Sequence, residues 1–239
     1  MEWNLLNFFL ATLFVSLGAL LQAVTGLGAG LIIVPLLALI SVELIPGPMI
    51  FGSVILSALM AFFGRKNIDF SNIVVVLSGV LVGTIAAASF ISMLTLDKLG
   101  LVFGLFILFA VLMSVHNPRF SLSSKGFATA GALSGFMGTS AGVGAPVLAM
   151  LYQNHTGSSI RATLAFLYLI SSIMMMLFLS FAGRFGESEI VSGLFLMPGF
   201  VLGYFVSLKL VKFFDKTYAR IAVLGLSSLS AGLLIWRSI

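Results

Sequence analysis

Long apolar stretches separated by short polar punctuation run the whole length of the chain. SNIVVVLSGVLVGTIAAASFISML carries no charge over more than 20 residues, enough to cross a hydrocarbon core of about 30 Å. Glycine, proline, asparagine and charged clusters divide the chain into ten apolar segments, at about 4–24, 28–45, 48–63, 70–94, 98–115, 126–140, 142–154, 158–182, 188–213 and 217–237. Inside hydrocarbon every backbone N–H and C=O must find its partner within the protein, which a helix provides by itself. The pattern predicts an all-α polytopic membrane protein, one transmembrane domain over 1–239. Segments of about 13 to 17 residues reach only about 20–25 Å as helices. The second, third, sixth and seventh are therefore expected to be half-helices or re-entrant elements.

Two of these segments follow glycine clusters of the same kind: Thr25-Gly26-Leu27-Gly28-Ala29-Gly30 and Thr139-Ser140-Ala141-Gly142-Val143-Gly144. At an offset of 114, Thr25 falls on Thr139, Gly28 on Gly142 and Gly30 on Gly144. Further matches follow at similar offsets. Phe62-Phe63-Gly64-Arg65 falls on Phe181-Ala182-Gly183-Arg184 at 119, and Leu81-Val82-Gly83 on Val201-Leu202-Gly203 at 120. Leu96-Asp97-Lys98 falls on Phe214-Asp215-Lys216 at 118. The chain reads as two repeats, 1–118 and 119–239, of five segments each.

Composition agrees with the pattern and charge adds direction. The 239 residues are 60% apolar and 8% charged, with mean hydropathy +1.22, against about 25% charged in a soluble domain. Cysteine is absent, which excludes disulfides and thiolate chemistry. The opening MEWNLLNFFL has an acid and no base, so the first segment is expected to be retained rather than cleaved as a signal peptide. The net charge of +5 is no sign of a nucleic-acid partner, because in a membrane protein the placement of basic residues matters more than their sum. Five segments per repeat is an odd number, so the second repeat enters the membrane from the opposite side. Alternating sides puts Arg65, Lys66, Arg119, Lys125, Arg161, Lys209, Lys212, Lys216 and Arg220 on one face, and Lys98, Arg184 and Arg237 on the other. With four crossings per repeat the split would be even. Two inverted-topology repeats in a cell inner membrane, both termini outside the cytoplasm, satisfy the positive-inside bias.

Transporters built from inverted repeats bind substrate near the membrane midplane, between broken helices. Each glycine cluster would break a helix there and free backbone N–H groups, which with the positive end of a helix dipole favour an anion. The candidate substrate ligands are Gln22, Thr25, Gly26, Gly28 and Gly30 from the first repeat, and Thr139, Ser140, Gly142, Gly144 and Gln153, beside Asn154, from the second. The competing reading is close helix packing through small residues. No ionisable residue lies near the centre of a segment, which argues against a carboxylate proton relay and leaves no metal or cofactor ligand set. Neutral donors suit a small mono- or dianion. His116 and His155 fall in loops, Met174-Met175-Met176 reads as packing, and the tyrosines and tryptophans mostly read as interfacial anchors. Gly138-Thr139-Ser140-Ala141-Gly142 matches G-x-S-x-G, but that motif needs a strand-to-helix turn and a histidine base, so no enzyme is expected.

TGLGAGLIIVPLL and GTSAGVGAPVLAMLY resemble the two signature regions of the sulfite exporter TauE/SafE family, also called the toluene sulfonate uptake permease family. The resemblance covers nearly the whole chain. It implies a transporter of sulfite, sulfoacetate or a related sulfur-containing anion, with a channel or a carrier of another small organic anion as the alternatives. The expected partners are that anion and the lipid bilayer; a homodimer is left open. The two motifs differ in one respect: proline follows Gly144-Ala145 at once, as Pro146, but arrives only at Pro35 in the first repeat.

Overall fold

The computed structural model describes residues 4–26, 28–116, 123–152, 157–210 and 216–238. All regular structure among them is helical: α1 (Leu5–Thr25), α2 (Gly30–Ile40), α3 (Gly47–Gly64), α4 (Ile73–Ser92), α5 (Leu96–His116), α6 (Ser124–Ala141), α7 (Ala145–Leu151), α8 (Gly157–Phe181), α9 (Glu187–Leu210) and α10 (Lys216–Ser238). Each expected segment has its helix, but two are longer than anticipated. α3 has 18 residues, and Gly47–Asn67, which includes the turn after it, is one of six helices among the described residues long and apolar enough to cross a membrane. α6 also has 18 residues, about 27 Å of helix. α3 is therefore no half-helix, and its Gly52 serves packing rather than breakage, with a Cβ there 3.0 Å from the Phe200 ring, whereas α6 is not among those six. Only α2, with 11 residues, and α7, with 7, fall well short of a crossing.

The outer surface is itself apolar. Leu5 and Trp236 are 85% and 82% exposed, within a belt of exposed leucine, valine and phenylalanine that only lipid would cover favourably. The protein is a multi-pass membrane protein.

Local chemistry sets the helix ends. Asn4 and Ser123 cap α1 and α6, accepting the N–H of Asn7 at 2.7 Å and of Gly126 at 3.2 Å. Both helices stop at a left-handed glycine, Gly26 (φ 77) and Gly142 (φ 73), a conformation in which a Cβ is strained. The chain then doubles back. The Ala29 N–H donates to Gln22 Oε1 at 2.6 Å, and a Cβ on Gly18 would strike the Ile33 side chain at 2.3 Å, so α2 lies along α1. α7 returns along α6 in the same way, with Gly144 against the Ser134 carbonyl. Within α2, Pro35 has no N–H for the Leu31 carbonyl one turn back. Ser227 of α10 supplies the missing donor at 2.6 Å.

The main helix pairings are α4 on α6, α9 on α1 and on α3, α3 on α8, and α5 on α10. Glycine lines the first two crossings. A Cβ on Gly79 or Gly83 of α4 would come within 2.1 or 1.9 Å of the Ala128 or Ala132 carbonyl of α6. On α9, Gly199 and Gly203 press on the Thr12 and Ser16 carbonyls of α1, where a Cβ would sit at 2.8 and 2.4 Å. The small-residue packing weighed for the helix breaks is thus found here, at two G-x-x-x-G contacts. Arg184 fastens the α8–α9 turn to the end of α4 by donating to the carbonyls of Ile91, at 3.2 Å, and Leu94.

Candidate functional site

The tips of the two hairpins meet. A Cβ on Gly28 would lie 2.0 Å from the Ala145 Cβ, and one on Gly30 would lie 1.9 Å from the Gly142 carbonyl oxygen. Only glycine allows this approach. Tyr168 of α8 clamps the two tips, its hydroxyl 3.2 Å from the carbonyl oxygens of both Gly26 and Ala145. One proton shared between two acceptors makes a three-centre bond.

Beside this contact is a cavity of about 70 Å³. In the same measure a single water needs about 10–15 Å³, so the space admits a small ion. Gln22, Ser53, Ser57, Ser134, Tyr168, Ser171 and Ser172 supply its polar lining, and Ile33, Met49, Leu148, Met175 and Phe200 help close it. None of the described lining residues is an acid, a lysine, an arginine or a histidine. The Gln22 Oε1 is occupied by the Ala29 N–H, which leaves its NH2 group to donate. Ser171 is 3% exposed and its Oγ has no hydrogen-bond partner. Leaving a hydroxyl buried and unpaired costs about 1–3 kcal/mol, a cost that a ligand oxygen would remove. Gly30, the first residue of α2, also lines the cavity, and the first N–H groups of a helix have no acceptor within it. The Ser171 hydroxyl, the Gln22 NH2 and the first N–H groups of α2 are donors that an anion's oxygens could accept from. Away from the spanning helices, burial and then the nearby Asp69 carboxylate push the Tyr152 phenol up to about 12, so this residue at the end of α7 is neutral.

Of the residues expected at the site, Gln22, Gly28, Gly30, Gly142 and Gly144 line the cavity. Gly26 instead caps α1 and faces Arg161, Ile160 and Leu164. Thr25 donates to the Leu21 carbonyl at 2.6 Å, and Thr139 to the Thr84 hydroxyl of α4 at 3.1 Å. Ser140 is buried with its Oγ unpartnered. None of these three lines the cavity. Gln153, Asn154 and His155 lie outside the described residues, and His116 is exposed at the end of α5 with Nδ1 3.1 Å from the Leu112 carbonyl.

Sequence reasoning missed the hydroxyls of α3, α6 and α8. Their signal is helical spacing within apolar runs: Ser53 and Ser57 are four apart, and Tyr168 precedes Ser171 and Ser172 by three and four, so each set shares a face. Charge usually marks function within a membrane, and these residues carry none. Tyr168 is also no interfacial anchor, since it sits midway along α8.

A multi-pass helical protein with a small, largely apolar cavity carrying a few hydroxyls beside two helix breaks has the form of a membrane transporter. More particularly, the chain belongs to the sulfite exporter TauE/SafE family, whose model matches residues 10–234. That family comprises membrane transporters of sulfite and sulfonates. No curated protein and no solved structure matches the chain.

Proposed function

We propose that the protein exports a small sulfur oxyanion, sulfite or a compact organosulfonate, by alternating access of repeats 1–118 and 119–239 around the central cavity. The observation that carries this reading is the meeting of two glycine breaks beside a cavity with an unpartnered hydroxyl, Ser171, and no charged lining residue. The anion's oxygens accept from the Ser171 hydroxyl, the Gln22 NH2 and the first N–H groups of α2. Neutral donors hold it firmly enough to select it and loosely enough to release it.

Several features support inverted repeats. α4 on α6 is matched by α9 on α1, as a two-fold axis between the halves would require, and the counterparts α3 and α8 pack on each other, as do α5 and α10, which such an axis allows. Gly79 and Gly83 fall on Gly199 and Gly203 at an offset of 120. Ser53 falls on Ser172 at 119, and both line the cavity. The distribution of basic residues then makes the Arg161 face cytoplasmic, with both termini outside.

Flux of labelled sulfite into proteoliposomes tests the reading. It should saturate, accelerate when unlabelled sulfite is present on the far side, and weaken in Ser171→Ala. Ohmic single-channel current would make the protein an anion channel instead. Absence of both sulfite flux and sulfite binding would sink the proposal.

A further inference from the structure

Three cavities succeed one another along α3. Gly47 and Pro48, at its start, line one of about 530 Å³; Met49, Ile50, Ser53 and Ser57 line the central one; Met60, Phe63 and Gly64 line a third of about 190 Å³. α8 passes the same three in the opposite order, with Arg161 at the third, Ser171 at the centre and Arg184 just beyond its end at the first. Gln22 lines the central cavity and the adjacent Ala23 the third, so these two are next to each other on α1 as well.

The outer two differ in charge. At the larger one, the Arg184 guanidinium donates to two main-chain carbonyls, and Glu43 and Glu189 line the same space. At the smaller one, Arg161 is half-buried and makes no hydrogen bond or ion pair with any described residue. Among the described residues no carboxylate lines that cavity, while Asn67 adds an amide. The stem of Arg161 lies against the first hairpin tip, its Cγ 3.5 Å from where a Gly26 Cβ would be. A half-buried guanidinium offers five fixed donors and no acceptor, and it favours a planar or tetrahedral oxyanion that can take two of them.

We propose that the Arg161 cavity is a second anion site, peripheral to the central one, which takes up the oxyanion at one mouth and passes it across Gln22 and Ala23. The substrate class rests on the transport reading; the site itself does not. Because, among the described residues, this mouth offers a cation with no carboxylate lining it while the other carries Glu43 and Glu189, the route is polarised, with capture at the Arg161 end and release past Glu43 and Glu189.

Sodium sulfite binding to the full-length protein in nanodiscs, at low ionic strength, is the direct probe, with flux in proteoliposomes beside it. Arg161→Gln should remove one of two binding classes and raise the flux KM about tenfold, the effect of losing one charge-assisted hydrogen bond, with kcat retained. Arg161→Lys, which keeps the cation, should retain the site. Added salt should raise the wild-type KM modestly and leave that of Arg161→Gln nearly flat, because screening acts on the solvent-facing side of the half-buried charge. Unchanged binding stoichiometry and KM in Arg161→Gln would overturn the proposal, as would equal loss in the glutamine and lysine variants. Sulfite binding that depends on Arg161 without any flux would uphold the site and defeat the transport reading. Saturable flux indifferent to Arg161 would do the reverse.

Discussion

Gly30 and Gly142 touch backbone to backbone, so closely that a Cβ on Gly30 would sit 1.9 Å from the Gly142 carbonyl oxygen. A main-chain carbonyl cannot swing aside as a side chain can, and relief requires one hairpin tip to move. Gly30→Ala should lower stability by at least about 1–3 kcal/mol and abolish the stabilisation given by sulfite in a thermal-shift assay. Gly232→Ala on α10, with nothing within 4 Å of its Cβ position, should leave both intact. Equal behaviour of the two variants would mean that the tips are not held in contact.

The bond from Ser227 to Leu31 fills the gap that Pro35 leaves in α2. Ser227→Ala strands a buried carbonyl and should cost about 1–3 kcal/mol. In a Pro35→Ala background the restored N–H takes that carbonyl, and the serine should matter much less. A double-mutant cycle on unfolding in denaturing detergent measures the coupling; strict additivity would show that Leu31 has another donor.

Ser171 and Tyr168 should separate ligand binding from architecture. Ser171→Ala removes a hydroxyl that has no partner among the described residues, so the ligand-free melting temperature should hold or rise. Sulfite affinity should fall about 10- to 100-fold, the range for a hydrogen bond to a charged group. Tyr168→Phe deprives the Gly26 and Ala145 carbonyls of their shared donor, and should lower the ligand-free melting temperature first. Titrating both variants with sulfite checks the contrast, and a reversed pattern would contradict the assigned roles.

The two glycine crossings should tolerate alanine unequally. A Cβ on Gly83 would approach the Ala132 carbonyl to 1.9 Å, whereas one on Gly203 would remain 2.4 Å from that of Ser16. Gly83→Ala should therefore destabilise more than Gly203→Ala in detergent melting curves. The opposite order would mean that α4 and α6 separate more easily than α1 and α9.

The helices and both breaks were legible because apolar length, charge and glycine clusters are one-dimensional signals. The fit between the halves was less so. Aligning Thr25 with Thr139 gives an offset of 114, yet the left-handed caps are Gly26 and Gly142, an offset of 116 at which Gly30 falls on Pro146. Matching letters favoured the threonines, whereas helix geometry is decided by the residue that turns the chain. For the same reason Thr25 and Thr139, beside the breaks in sequence, direct their hydroxyls to Leu21 and Thr84. The serines of the cavity come from α3, α6 and α8, distant in sequence, and which hydroxyls converge depends on how those helices are rotated against each other.

A cavity whose described lining holds no carboxylate, lysine, arginine or histidine also decides which step of a transport cycle can feel the membrane voltage. On the proposed mechanism the empty carrier moves no net charge through its centre, whereas the loaded one moves the charge of the anion. A potential of 100 mV, negative inside, is worth about 2.3 kcal/mol per elementary charge. Such a potential drives the loaded step outward and leaves the empty return untouched, so the cell's resting polarisation would by itself make the protein an exporter.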